Sequence, residues 1–388
     1  MTQLSRLATL GLARESVNGT YLVPTIYVPF TKADYEDVTT PLKDESYRAN
    51  DSVLQGLYAG PIEADWSIDV LAYPDLVGHP LRGIIGPDTV SAAASTTTTA
   101  LTTVGATTVN VTSATGIIVG SYLSIDTGAT QEYALVTNVA SLVLTVTTVA
   151  GQAVGLTKGH ASGVTVVGQT THTFKQNPAV ARPSYSLSVF DTTAGAPATL
   201  GYTYATFSDL QLKIDPKASV SLMTKLKAQQ GVQQSAITPV FTSLAPLLGW
   251  QWTMTNSGAS STRGITLDMT VKRVADAIHS SNGVQSPREI FQGALEIDAT
   301  YKAIFENNID LLLFSNYTQT PTVALLQQPV AVGGASLALT LSQSGWTKGK
   351  RDFSTAYVEA DFALSGIYNA TDSGSLSAVL KNFTTTTY

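Results

Sequence analysis

Three stretches of the chain place a glutamate and an aspartate two residues apart: Gly60-Pro-Ile-Glu63-Ala-Asp65-Trp66, Gly293-Ala-Leu-Glu296-Ile-Asp298-Ala299 and Ala356-Tyr-Val-Glu359-Ala-Asp361-Phe362. Paired carboxylates can act as general acid and base, provided a cleft surrounds them and their environments separate their pKa values. They can also hold a hard cation, which asks for a tight loop supplying backbone carbonyls. A strand supplies neither. Residues two apart on a strand share a face, so each Glu–Asp pair points one way while Ile62, Ala64 and Trp66, or Leu295, Ile297 and Ala299, or Val358, Ala360 and Phe362 point to the core. Two readings stay open on this pattern: the solvated outer face of a half-buried sheet, and a structured negative surface lining a pore. In the first two copies a helical pattern follows directly, which suggests an internal strand-then-helix repeat or a shared functional face.

Other chemistry is thin. His79, His160, His172 and His279 form no close i,i+4 pair and no His-Glu-x-x-His run, and the sequence holds no Gly-x-Ser-x-Gly elbow, Walker loop or dinucleotide fingerprint in a strand-to-helix context. Cysteine is absent, so thiolate metal sites, thiol nucleophiles and disulfides are excluded. Trp66, Trp250, Trp252 and Trp346 could build a sugar platform, but their scatter suits core or interface anchors better. No enzyme activity, cofactor or metal is therefore expected. A second charged cluster, Asp34, Glu36, Asp37, Lys43, Asp44, Glu45, Arg48 and Asp51, has few apolar anchors and reads as a long charged loop, a kind of loop that is usually functional or disordered.

The elements that must carry these residues are mostly strands. From Thr89 to Thr157 the only charges are Asp126 and Glu132, and runs such as Thr108–Thr112, Tyr122–Ile125, Glu132–Val136 and Leu142–Val146 alternate between Gly breaks. Residues 92–168 are thus expected to form an inserted all-β module, which a surface loop accommodates at small entropic cost. The flanks, 1–91 and 169–388, read as one discontinuous host domain. Its strands are expected at Tyr21–Phe30, Gly60–Leu71, Tyr185–Phe190, Gly201–Asp215, Ser219–Leu226, Trp250–Thr255, Ile265–Val274, Gly293–Thr300, Thr322–Leu326, Ser336–Ser342, Phe353–Leu364 and Ser375–Phe383. Short helices are expected at Tyr73–Ile85 and Tyr301–Phe314. The fold class is mainly β: a sandwich or barrel core with one or two short helices.

Bulk composition narrows the partners. The 388 residues are 44% hydrophobic and only 13% charged, against about 25% charged in typical domains, which excludes a disordered chain. No apolar run approaches the roughly 18 residues of a membrane helix, and Leu7–Ala13 is short for a signal-peptide core. A net charge of -6 argues against a reader that grips nucleic acid by neutralising phosphates. A surface so poor in charge and rich in Thr and Ser suits contact with other protein.

The segment Leu10-Gly-Leu-Ala-Arg-Glu15-Ser-Val-Asn-Gly19-Thr-Tyr-Leu-Val-Pro24-Thr-Ile-Tyr-Val-Pro29-Phe resembles the opening of tail tube proteins of long-tailed bacteriophages, and the order of loop, strand, helix and final strands is similar across most of the host region. The stretch Ala106–Gly116 followed by Val119–Asp126 resembles small β modules added to phage virion proteins, where they sit outside the particle. The resemblance implies a structural virion protein, assembled in the bacterial host cytoplasm. Its rings would be hexameric and stack into a tube around the tape-measure protein, capped by tail terminator and tail-tip proteins and crossed non-specifically by double-stranded DNA. On that reading Glu63, Asp65, Glu296, Asp298, Glu359 and Asp361 line the lumen, the loop Asp34–Asp51 joins stacked rings, and Thr384–Tyr388 is a short arm onto a neighbour. The alternatives are another virion component (capsid, decoration or baseplate) and a secreted carbohydrate-binding or adhesive β protein.

Overall fold

A computed structural model of the chain describes residues 5–191, 199–235, 237–370 and 372–388. The protein is mainly β, with 51% of residues in strands. In chain order the elements are β1 (Ala8–Arg14), β2 (Ile26–Val28), β3 (Phe30–Thr39), β4 (Leu42–Asp44), β5 (Gly56–Tyr58), β6 (Ile62–Leu71), α1 (Gly78–Ile84) and β7 (Asp88–Ser91). There follow β8 (Ser95–Thr97), β9 (Thr108–Asn110), β10 (Tyr122–Ile125), β11 (Glu132–Ala140), β12 (Val143–Thr147), β13 (Thr165–Gly168), β14 (Thr170–Lys175), β15 (Tyr185–Asp191), β16 (Leu200–Ile214), β17 (Ser221–Ala228) and β18 (Val232–Gln233). The remainder are β19 (Trp252–Asn256), β20 (Ala259–Ser261), β21 (Gly264–Ile278), β22 (Glu289–Ile304), α2 (Ile309–Ser315), β23 (Thr320–Gln327), β24 (Ser336–Asp352), β25 (Glu359–Gly366) and β26 (Ser377–Asn382).

One antiparallel layer runs β3-β6-β17-β16-β21-β22-β25-β24. The long strands β16 and β24 bend and serve a second layer with their N-terminal halves: β16 pairs there with β15 and β18, β24 with β23 and β26. Between the layers, Leu337 and Leu339 face Leu210, Leu212, Met269 and Val271, with Val77 and Leu81 beside them at α1. Period-two patterning places Ala64, Trp66, Ile68 and Val70 of β6 in this core and leaves Glu63, Asp65, Ser67 and Asp69 on the opposite face.

The host is built twice. The set β1, β2, β3, β6, α1, β15, β16, β17, β18 corresponds one for one to β19, β20, β21, β22, α2, β23, β24, β25, β26. Every pairing of the first set recurs in the second: β1–β2 as β19–β20, β1–β15 as β19–β23, β15–β16 as β23–β24, β16–β18 as β24–β26, β16–β17 as β24–β25, β17–β6 as β25–β22 and β3–β6 as β21–β22. The bulges coincide as well. Thr31 of β3 and Ile265 of β21 are skipped at matching places, as are Ser208 of β16 and Thr347 of β24. The break in β15–β16 between Tyr185 and Leu187 recurs in β23–β24 between Thr320 and Thr322, where Pro321 occupies a bulge, a position that tolerates its missing N–H. The repeats join where β16 of the first pairs with β21 of the second.

Several sequence expectations change. The helix expected over Tyr73–Ile85 is confined to Gly78–Ile84. The one expected over Tyr301–Phe314 is the end of β22 followed by α2, because Tyr301 and Ala303 alternate into the core and Ile304 pairs with Glu359. The apolar spacing there fuses a strand end with a helix start. The first half of the charged loop expected at Asp34–Asp51 is mostly strand, since β3 reaches Thr39 and β4 follows at Leu42–Asp44. An edge strand carries charge on both faces, which hides its period. Strand β24 runs on to Asp352, and β25 begins only at Glu359. Tyr388 is no arm onto a neighbour: it is 3% exposed and packs on His79 and His172 of its own chain, at ring distances of 5.0 and 4.8 Å.

Between β7 and β14 the strands β8-β13-β10-β11-β12-β9 form a separate sheet with its own core of Val109, Leu123, Ile125, Val136, Leu144, Val146 and Val166. A bridge from Thr98 to Val111 brings its two ends together. It touches the host through Tyr133 stacked on Phe383 at 5.3 Å and through the Tyr122 ring, which lies against Gly334. Ser91 lies opposite Thr171 across β7 and β14, so excision of residues 92–168 leaves two paired strands that a hairpin turn can close. We expect such a variant to keep the host fold, with a loss of roughly 1 kcal/mol from the missing aromatic contact. Denaturant unfolding checks this, and failure to fold would make the module integral.

Inside that module Glu132 accepts hydrogen bonds from the Thr157 N–H and hydroxyl, both at 2.8 Å, and from the Lys158 N–H at 3.1 Å, and pairs with His160 Nε2 at 2.7 Å. Burial pushes its pKa up, but these bonds outweigh it and hold the carboxyl below its ordinary value. A depressed carboxylate contributes stability above its unfolded pKa, and that stability is lost as pH falls through the folded one. We therefore expect hydrogen exchange over residues 148–160 to accelerate in acid. Glu132→Gln should produce the same acceleration at neutral pH, losing about 1.5–3 kcal/mol of local protection.

Candidate assembly surfaces

The eight-strand layer has one face in the core and one open. Across the open face run Asp34 and Glu36 (β3), Glu63, Asp65 and Asp69 (β6), Lys225 and Lys227 (β17), Asp209 and Lys213 (β16), Asp268 and Lys272 (β21), Glu296, Asp298 and Lys302 (β22), Asp361 (β25), and Lys348 and Lys350 (β24), related by the strand registers. Asp65 lies opposite Lys227 and Asp298 opposite Ser365, and these are equivalent positions of the two repeats. Thus the first two Glu–Asp pairs are the same site in two copies.

The expected purely acidic face is mixed in charge. Lys227 Nζ sits 2.5 Å from Glu63 and 2.9 Å from Asp65, and Lys213 lies 3.9 Å from Asp268. Hydrogen bonds from Lys227 to both carboxylates outweigh its burial and raise its pKa, keeping it cationic. Glu296 and Asp298 are exposed; Asp298 accepts from the Ser365 hydroxyl at 2.7 Å. The third copy of the pattern misleads. It lies on β25, the equivalent of β17 rather than of β6, and Glu359 is 5% exposed and ion-paired with Lys302 at 2.5 Å. Asp361 remains half-exposed opposite Lys302 and Lys350. Glu359 therefore presents no free carboxylate, although its neighbour does.

Beyond the layer, β3 and β6 continue into an arm. β4 and β5 pair Leu42 with Tyr58 and Asp44 with Gly56. The turn between them is tied by the Gln55 N–H to the Asp44 carbonyl at 2.7 Å and by an Arg48–Asp44 ion pair. At its root Gly60 passes so close to the Thr40 carbonyl that a Cβ would lie 1.9 Å from it. There Gln285, in the β21–β22 connection, donates to the Gly60 carbonyl at 2.8 Å. Of the eight charged residues expected in a loop, Asp34, Glu36 and Asp37 belong to β3, Lys43 and Asp44 to β4, and Glu45, Arg48 and Asp51 to the arm's turn. Sequence reading missed the arm's exposed apolar residues: Tyr47 is fully exposed, and Leu42, Val53, Leu54, Leu57 and Tyr58 are exposed with it, Leu42 and Tyr58 on one face of the ribbon and Leu57 on the other. Exposed apolar groups concentrated on one ribbon suit contact with other protein.

Two His–carboxylate clusters also escaped sequence reading, because their members are far apart in the chain. His160 sits between Glu132 and Asp126, and His172 Nδ1 lies 3.3 Å from Asp88. Both imidazoles are buried and tie loops to strands. The tryptophans form no platform: Trp66 and Trp346 are core residues, Trp252 is half-buried and Trp250 is exposed. No protein-family model matches the chain, and no curated protein matches it.

Proposed function

We propose that the protein is a structural, non-enzymatic subunit of a phage tail tube, resident in the virion tail, whose stacked rings conduct DNA during ejection. The observation that carries this reading is the duplicated sheet: one eight-strand polar face per chain, with acids in excess of lysines, and an arm with exposed apolar residues continuing from its end. In a ring that turns this face inward, the excess of carboxylates repels phosphate while the interleaved lysines keep the wall from forming a single-sign field, so DNA slides without being held. The arm reaches the next ring. The module, 92–168, occupies the side away from that face, and the tape-measure, terminator and tail-tip proteins are the partners the resemblance implies.

Purified protein is expected to form rings or tubes in negative-stain micrographs. With Glu296→Lys and Asp298→Lys together, tubes still form but ejection slows several-fold at low salt, recovering as salt screens the added charge. A protein that stays monomeric at high concentration, or an ejection rate indifferent to both changes, contradicts the proposal.

A further inference from the structure

The seam between the two repeats is a template for the contact between chains. Along it β16 and β21 pair antiparallel, Asp209 opposite Lys272, Gln211 opposite Thr270 and Lys213 opposite Asp268. The duplication leaves the same two edges open at the ends of the chain. The C-terminal half of β24 is the equivalent of β16, and among the described residues it pairs on one side only, with β25. Strand β3 is the equivalent of β21 and among the described residues pairs only with β6. Matching the bulge at Thr347 to that at Ser208, and the bulge at Thr31 to that at Ile265, aligns Lys350 with Gln211 and Glu36 with Thr270.

We propose that β24 of one chain adds to β3 of the next in the register of the internal seam, with Lys350 opposite Glu36, Lys348 opposite Val38 and Arg351 opposite Tyr35. The charges on the two edges are complementary. Lys348, Lys350 and Arg351 are exposed on one, and Asp34, Glu36 and Asp37 are exposed on the other. Opposite charges across an antiparallel pair are favourable where like charges are not, and diagonal neighbours still interact. Asp352 opposite Asp34 is the one like-charge pair, and Lys350 lies diagonal to that Asp34. An edge strand of ten residues left unpaired is a template for association, and here the template and its partner are on the same molecule, a heterologous contact that closes into a ring.

This inference rests on the reading of the chain as a ring-forming subunit and alters its stoichiometry. The resemblance implies rings of six positions; with two repeats supplied by each chain, six positions close with three chains, not six.

The cysteine-free sequence makes the test specific. In full-length E36C/K350C treated with diamide, facing Cβ atoms about 4.5–5.5 Å apart can relax into a disulfide. Denaturing gels are expected to show a ladder that stops at three chains. K32C/K350C, displaced by about 13 Å along the strand, should give at least tenfold less cross-linking. As an independent arm, E36K should lower ring formation at least tenfold and E36K/K350E should restore it. Tubes that form without the E36C/K350C cross-link, a ladder that continues past three, or no rescue by the second charge change overturns this contact while leaving the tube reading intact. Absence of any rings or tubes from the unaltered protein overturns the tube reading itself.

Discussion

Trp66→Ala lowers the stability of the folded chain by about 3–5 kcal/mol, the usual cost of emptying a large aromatic site. Trp66 is 2% exposed, stacks on Tyr35 at 4.6 Å and meets the edge of Tyr202 at 4.8 Å. It ties the β3–β6 pair, in which Tyr35 lies directly opposite Trp66, to Tyr202 on the bent part of β16. Against a total stability of roughly 5–15 kcal/mol, the loss removes much of the margin. Denaturant unfolding of the unassembled protein reads it as a lowered midpoint. Tyr35→Ala, at a half-exposed ring on the edge strand, costs less but exposes Trp66 to water. A Trp66→Ala midpoint within about 0.5 kcal/mol of the parent contradicts this account of the first repeat's core.

Removing the arm gives the second large effect, on assembly and not on folding. Replacing residues 40–61 by a two-residue Asn-Gly turn keeps β3 and β6 paired, because Thr39 lies directly opposite Ile62 and that turn matches the twist of a hairpin. Rings are expected to form and tubes to be lost. The exposed Leu42, Val53, Leu54 and Leu57 supply the driving force, about 1.5–3 kcal/mol for each aliphatic side chain fully covered by a neighbouring ring. The charges of the arm contribute little: the Arg48–Asp44 pair lies within one arm with Arg48 open to solvent, and surface pairs of this kind add little. Tube length measured in 1 M salt separates the two origins. Tubes held by apolar contacts persist, whereas tubes held by arm charges dissolve. Normal tubes from the arm-deleted chain contradict a stacking role altogether.

The β-rich class was legible in the sequence because strands such as β6 alternate between apolar and polar residues from Ile62 to Val70. The Glu63–Asp65 and Glu296–Asp298 pairs also located equivalent strands, since both face the same open surface and both precede a helix. The third pair misled for a physical reason: three residue types at two-residue spacing recur by chance on any half-buried strand, and only the hydrogen-bonded neighbours reveal that β25 answers to β17. The two pairs suggested a strand-then-helix repeat, but the extent of the duplication was hidden. Its evidence lies in pairings and bulges across sequence separations that no local pattern carries, and the paired residues differ in type, as with Trp66 and Ala299. The arm was read as charge because its acids and bases are conspicuous, while the exposure of Tyr47 and Leu57 depends on a ribbon that leaves the core. His160 and Glu132 come together only because β11 and the loop before β13 close on each other.

The most direct test of the central claim is an electron cryo-microscopy reconstruction of the assembled protein. Stacked rings are expected, with Asp65, Glu296 and Asp298 on the channel wall, the arm 42–58 seated on the adjoining ring and residues 92–168 outside. A particle without a continuous channel, or a tube with those three carboxylates on its outer wall, contradicts it.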